Sequence, residues 1–86
     1  MPIASKVVIA EQMLNQVKIS LVEADIDIGY WESVGIAGNP VEQAAASKNL
    51  ITAKTNKEMA ERRIRSIESL LILYKKEEEP GSTLVS

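Results

Sequence analysis

The sequence predicts an all-α fold: an antiparallel two-helix coiled-coil hairpin, assembled into a larger helical oligomer. Three observations point there. Apolar residues recur at alternating spacings of three and four along Ile3, Val7, Ala10, Leu14, Val17, Leu21, Ala24, Ile28 and Trp31. They recur again along Leu50, Ala53, Ala60, Ile64, Ile67, Leu71 and Tyr74, with Lys57 occupying one seam position. A Gly38-Asn39-Pro40 break separates the two runs, and the aromatic content is only 3% with no Phe, so the interior must be built from aliphatic side chains at close helix spacing. A seam repeating every 3.5 residues buries one narrow stripe of each helix against a partner helix, which favours helix on helix over a sheet or a ligand cavity.

The first helix is expected over about residues 3–34. Pro2 suits a first helical turn, where its missing N–H costs nothing, and Gly35 and Gly38 offer the positive φ values that end helices. The turn is placed at about 35–39. Asn39-Pro40-Val41-Glu42 reads as a restart, with Asn39 as N-cap, Pro40 first in the helix and Glu42 reaching back to free N–H groups. From Pro40 no helix breaker occurs before Pro80-Gly81, and Lys75 and Lys76 complement the negative end of the dipole, so the second helix is expected over about 40–78. The hairpin is thus one domain over 1–79, with a disordered tail at 80–86. At 1.5 Å per residue each arm is about 50 Å long, and a short link forces the arms antiparallel. One segment dissents: Asp25-Ile26-Asp27-Ile28-Gly29-Tyr30 alternates with the period of a strand. Ala24, Ile28 and Trp31 hold the seam register through it, so helix is assigned, with a kink or local unwinding as the alternative.

A chain of 86 residues forming a lone hairpin buries little core, so a partner is expected. Charge is divided between the arms: two Lys against five acids from Ile3 to Val34, and eight basic against four acidic residues from Val41 to Lys76. Arms of opposite sign favour the hairpin over pairing of like with like. The first arm also carries apolar residues off the seam. Ile19, Val22 and Ile26 repeat the three-four spacing on its opposite face, and Ile9 and Met13 lie between the two faces. A two-helix hairpin cannot bury both faces, so these five residues are candidates for an interface with copies of the chain or with another helical protein. Tyr30 and Trp31, beside the turn, either plug the end of the hairpin or join that interface.

Residues that could carry chemistry are few. The chain has no Cys and no His, which removes thiolate chemistry, the commonest metal ligand and the commonest general base. Asp25, Asp27 and Gly29 lack the remaining positions of a calcium loop, and residues two apart on a helix face different ways, so the two acids cannot act as an acid/base pair. No catalytic, cofactor-binding or metal-binding residue is assigned, and no cofactor is expected. Arg62, Arg63 and Arg65 form the one basic cluster and are the candidates for a small anionic ligand. Glu58, Glu61 and Glu68 interleave with them, the net charge is −2, and no aromatic residues are interposed for base stacking, so nucleic acid is not an expected partner. Lys57 at a seam position needs an acid such as Glu23 or Asp25 within reach of its snorkelling stem. No apolar run approaches the roughly 18–20 residues of a membrane span, and the N-terminus does not read as a secretory signal, so synthesis in the cytoplasm is expected, with the final location open to a particle or an exported assembly.

Three groups of residues carry a family resemblance: Asn39-Pro40-Val41-Glu42; Asn49-Leu50-Ile51-Thr52-Ala53-Lys54; and Ala60, Ile64 and Leu71. Together they make the second arm resemble the C-terminal helix of axial proteins of bacterial flagella and of type III secretion needles or rods. The resemblance implies a hairpin with a Pro-containing turn, stacked into a hollow filament and exported without a signal peptide. The first arm lacks that family's polar N-terminal stretch, and the chain runs on beyond Ile72 and Leu73. Two functional expectations follow. One is a non-enzymatic structural or assembly subunit of a phage or a secretion or flagellar particle. The other is a small oligomeric binding protein, such as a phage-encoded antagonist or an adaptor, that sequesters a partner protein or an anion.

Overall fold

A computed structural model describes residues 5–78. It contains two helices, α1 (Lys6–Ala37) and α2 (Pro40–Glu78), packed against each other along their lengths. Gly35 lies beside Ala46 near the turn, and the Lys6 ammonium stands 5.4 Å from the centre of the Tyr74 ring at the open end, so the arms are antiparallel. The molecule measures 66 × 27 × 13 Å and has a radius of gyration of 19.4 Å. A compact domain of this length would have about 12 Å. The chain forms a rod.

The buried and half-buried positions of α1 are Val7, Ala10, Leu14, Val17, Leu21, Ala24, Ile28, Trp31 and Val34. Those of α2 include Ala46, Leu50, Ala53, Lys57, Ala60, Ile64, Ile67, Leu71 and Tyr74. Both sets keep the heptad spacing read from the sequence, and Val34 and Ala46 extend it toward the turn. Ala46 is the most deeply buried of the described residues, at 2% exposure. The seam is graded along the rod. At the open end Val17, Ile67 and Leu71 pack with Leu14, Leu21 and Ile64, whereas toward the turn the buried residues are Ala24, Ala46 and Ala53. Of the eight buried residues among those described, five are alanines. Each contributes a single methyl group, worth about 0.8 kcal/mol by area, so the hairpin's own core is small for the 71 helical residues it must order.

Helix ends differ from the sequence expectation on both sides of α1. Ser5 is extended (φ −68°, ψ 155°) and its hydroxyl accepts from Val8 N–H at 3.1 Å, so Ser5 is the N-cap and α1 starts at Lys6 rather than near Ile3. Pro2 and Ile3 lie outside the described residues, as does the 80–86 tail. At the other end α1 runs through Gly35 to Ala37, three residues past the expected stop. The turn is Gly38-Asn39 alone. Gly38 does not supply a positive φ; its backbone is extended (φ −80°, ψ 166°) and its N–H donates to the Val34 carbonyl at 2.8 Å. Glycine is needed there for space, because a Cβ would stand 2.6 Å from Val34 O and 2.8 Å from Glu42 Cβ.

The restart signal forms as read. Glu42 N–H donates to Asn39 Oδ1 at 2.8 Å, and Asn39 N–H donates to Glu42 Oε1 at 2.9 Å. This reciprocal box satisfies two N–H groups that the helix start leaves without partners. The strand-like stretch at 25–30 is helical without interruption, since the seam residues on either side bury in register.

Candidate interaction surfaces

The heptad also determines what stands on each flank of the seam. The Lys75 ammonium lies 3.9 Å from Glu11 Oε2. Stepping seven residues forward along α1 and seven back along α2 from that pair sets Lys18 beside Glu68, Asp25 beside Glu61, and Glu32 beside Lys54. Three of the four levels set opposite charges on the same flank, and of these Glu11 with Lys75 is the pair within 4 Å among the described residues. The fourth, Asp25 with Glu61, is a like-charge level, and there Lys57 leaves the seam: its ammonium sits 2.9 Å from Asp25 Oδ1. The sequence expectation that this lysine reaches an acid such as Glu23 or Asp25 resolves to Asp25.

The Asp25 hydrogen bond and charge, with a smaller contribution from Glu61, hold the Lys57 ammonium above its ordinary pKa of 10.5 against an opposing effect of burial. Because the folded value is raised, the stabilisation from this contact is complete below about pH 10 and is lost as pH climbs through the folded value. Thermal melts of wild type and Asp25→Asn, followed by circular dichroism from pH 8 to 12, are expected to converge at the alkaline end. Parallel profiles would show that the contact contributes nothing. The side chains of Lys57 and Asp25 are 39% and 52% exposed, so solvent screening keeps the effect small and its main consequence is register.

The opposite flank is built differently. There Met13, Ser20 and Asp27 of α1 meet Asn56, Arg63 and Leu70 of α2. Two shallow grooves open along it. One, at the open end, has buried Ala10 and Ile67 as its floor and Lys6, Ile9, Met13, Leu70 and Tyr74 as its walls. The other lies at mid-rod over Val17, Ala24 and Ala60, lined by Glu23, Asp27, Asn56 and Arg63. Small seam residues deepen both.

The outer face of α1 carries the stripe expected from sequence: Ile19, Val22 and Ile26 are 60%, 56% and 64% exposed. They run in a row away from α2. Ile9 and Met13 are also exposed but belong to the grooved flank, not to that row. Tyr30 is exposed, whereas Trp31 is half-buried in the hairpin's own seam beside Gly35, Ala46 and Leu50, with its ring edge-on to Tyr30 at 4.8 Å. The plug at the turn is therefore Trp31 alone. The three arginines do not converge. Arg62 and Arg65 share an outer depression with Ser66 and Ser69, and Arg63 faces the mid-rod groove on the other side.

Sequence reasoning missed the exposed apolar residues of α2, among them Ile51, Met59, Leu70, Ile72 and Leu73. The run Leu70-Leu71-Ile72-Leu73 held the signal: a helix turns 100° per residue and seam positions are three or four apart, so with Leu71 on the stripe its three apolar neighbours lie off it. Among the described residues no group of three or more acidic, His or Cys side chains could hold a metal ion. No helix among them is long and apolar enough to cross a membrane. Compared with protein-family models, curated proteins and solved structures, the chain matches none.

Proposed function

We propose that this hairpin is a non-enzymatic, self-assembling structural or assembly subunit, of the kind used in phage, secretion or flagellar particles. The observation that carries the reading is the row Ile19, Val22 and Ile26, which leaves more than half of each side chain in water along the back of α1. Apolar residues exposed singly are ordinary, but a spaced row on one helix face is what a helix-to-helix contact uses. The small alanine seam supports the same reading, since assembly would supply burial that the isolated hairpin lacks. The resemblance of α2 to axial proteins of flagella and type III secretion needles or rods agrees with it in topology and size.

The test is absolute mass by light scattering across a hundredfold concentration range. Wild type is expected to grow in mass with concentration, and Val22→Asp to keep full helicity while its mass stops growing. A sharp wild-type mass of two to six chains would replace this reading with the small closed binding oligomer. Loss of helicity in Val22→Asp would place the row inside a hairpin core instead.

A further inference from the structure

Building on the assembly reading, we propose that the repeating unit of the assembly is a dimer, formed when the grooved flank of the hairpin pairs with the same flank of a second copy about a two-fold axis parallel to the rod. The two flanks of the seam are not equivalent. One carries the ion pairs Glu11–Lys75 and Asp25–Lys57; the other is grooved. On the grooved flank, Ile9, Met13 and Leu70 are 43%, 37% and 43% exposed around a floor of buried Ala10 and Ile67.

The choice of a second copy rests on self-complementarity. A two-fold axis along the rod keeps every residue at its own level and sets α1 of each copy against α2 of the other. Met13 and Leu70 line one groove, so they share a level, and the operation lays Ile9 and Met13 of one copy on Leu70 and Tyr74 of the other. Glu23, Asp27 and Arg63 line the next groove. Within one chain no ion pair within 4 Å joins Arg63 to either acid among the described residues. The same operation brings each Arg63 to the Glu23 and Asp27 of the other copy. An axis perpendicular to the rod would instead oppose α1 to α1, acid to acid. The parallel axis instead matches the acidic first arm to the basic second arm. The Ile19, Val22 and Ile26 row then faces outward from both sides of the dimer, a second contact on a different face, which allows open-ended growth.

The test removes the outer contact and swaps charges across the inner one. In full-length Val22→Asp protein, light scattering is expected to give twice the chain mass of 9.4 kDa. Adding Arg63→Glu to that background, or adding Glu23→Arg with Asp27→Arg, is expected to weaken the dimer about tenfold or more by opposing like charges. An equimolar mixture of those two variants restores it. In the mixed dimer the carboxylate introduced by Arg63→Glu meets the two introduced guanidiniums, and the unchanged Arg63 of the other chain meets unchanged acids. Circular dichroism checks that these exposed substitutions leave helicity unchanged. A helical Val22→Asp monomer at every concentration, or a mixture that stays as weak as its components, overturns the dimer. A wild type that stops at two chains while the swap behaves as described keeps the dimer and overturns the open-ended assembly.

Discussion

Replacing Ile67 with Asp is expected to abolish most of the helical circular dichroism of this protein. Ile67 is 6% exposed and lies in the cluster with Val17, Leu71 and Ala10, the part of the seam where large side chains gather. The substitution removes about 2–3 kcal/mol of apolar burial and places a carboxylate among Ala10, Val17 and Leu71. Together these effects reach about 4 kcal/mol or more, a large share of the 5–15 kcal/mol that ordinary domains have and more than a mostly alanine seam can spare. Ile72→Asp is the control. Ile72 is 62% exposed, five residues further along the same helix, and its replacement is expected to change stability by less than about 0.5 kcal/mol. Equal helicity in both variants would show that α2 does not face α1 through the Ile67 side.

This contrast depends on the part of the fold that was most legible before any coordinates. Which residues of a helix face its partner is a matter of spacing alone, and the seam from Val7 to Trp31 and from Leu50 to Tyr74 needed nothing else. Helix ends are a matter of competition between neighbouring signals. Pro2 and Ser5 both suit an N-terminus, and the hydroxyl that reaches Val8 N–H decided for Ser5. Gly35 and Gly38 both suit a stop. The Gly38 N–H to Val34 carbonyl bond carries the last turn past Gly35, whose missing side chain lies beside Ala46.

That small difference matters for the surfaces, because each residue added to α1 slides its neighbours on α2 by about 1.5 Å. The stripe Ile19, Val22 and Ile26 lies on one helix and was readable without the register. The charged flank and the grooved flank combine two helices. Their composition follows only once Glu11 is known to stand beside Lys75. The arginines show the same limit from another side. Arg62, Arg63 and Arg65 are adjacent in sequence, yet the helix sends Arg63 to the grooved flank and the other two outward.

Two glycines three residues apart should therefore respond in opposite directions to the same substitution. Gly35→Ala adds a methyl group 3.9 Å from Ala46 Cβ, an ordinary contact, at a helix interior position where Ala is favoured over Gly by about 1 kcal/mol. It is expected to raise the melting temperature by about 4–8 °C in a chain of this size. Gly38→Ala gains nothing comparable, since the backbone is extended there and open to any residue. Its Cβ would fall 2.6 Å from the Val34 carbonyl oxygen, 2.8 Å from Glu42 Cβ and 3.4 Å from Val34 Cγ1. Relieving those contacts means moving Val34 or Glu42, and with them either the bond that ends α1 or the box that starts α2. The cost is about 1–3 kcal/mol, of the order seen for other overpacked sites. Melting both variants in the Val22→Asp background keeps changes in assembly out of the comparison. A Gly38→Ala protein as stable as Gly35→Ala would mean that the chain turns elsewhere. The register that sets Lys57 against Asp25 and Arg63 beside Asp27 would then have to be redrawn, because a two-residue turn is what joins those levels.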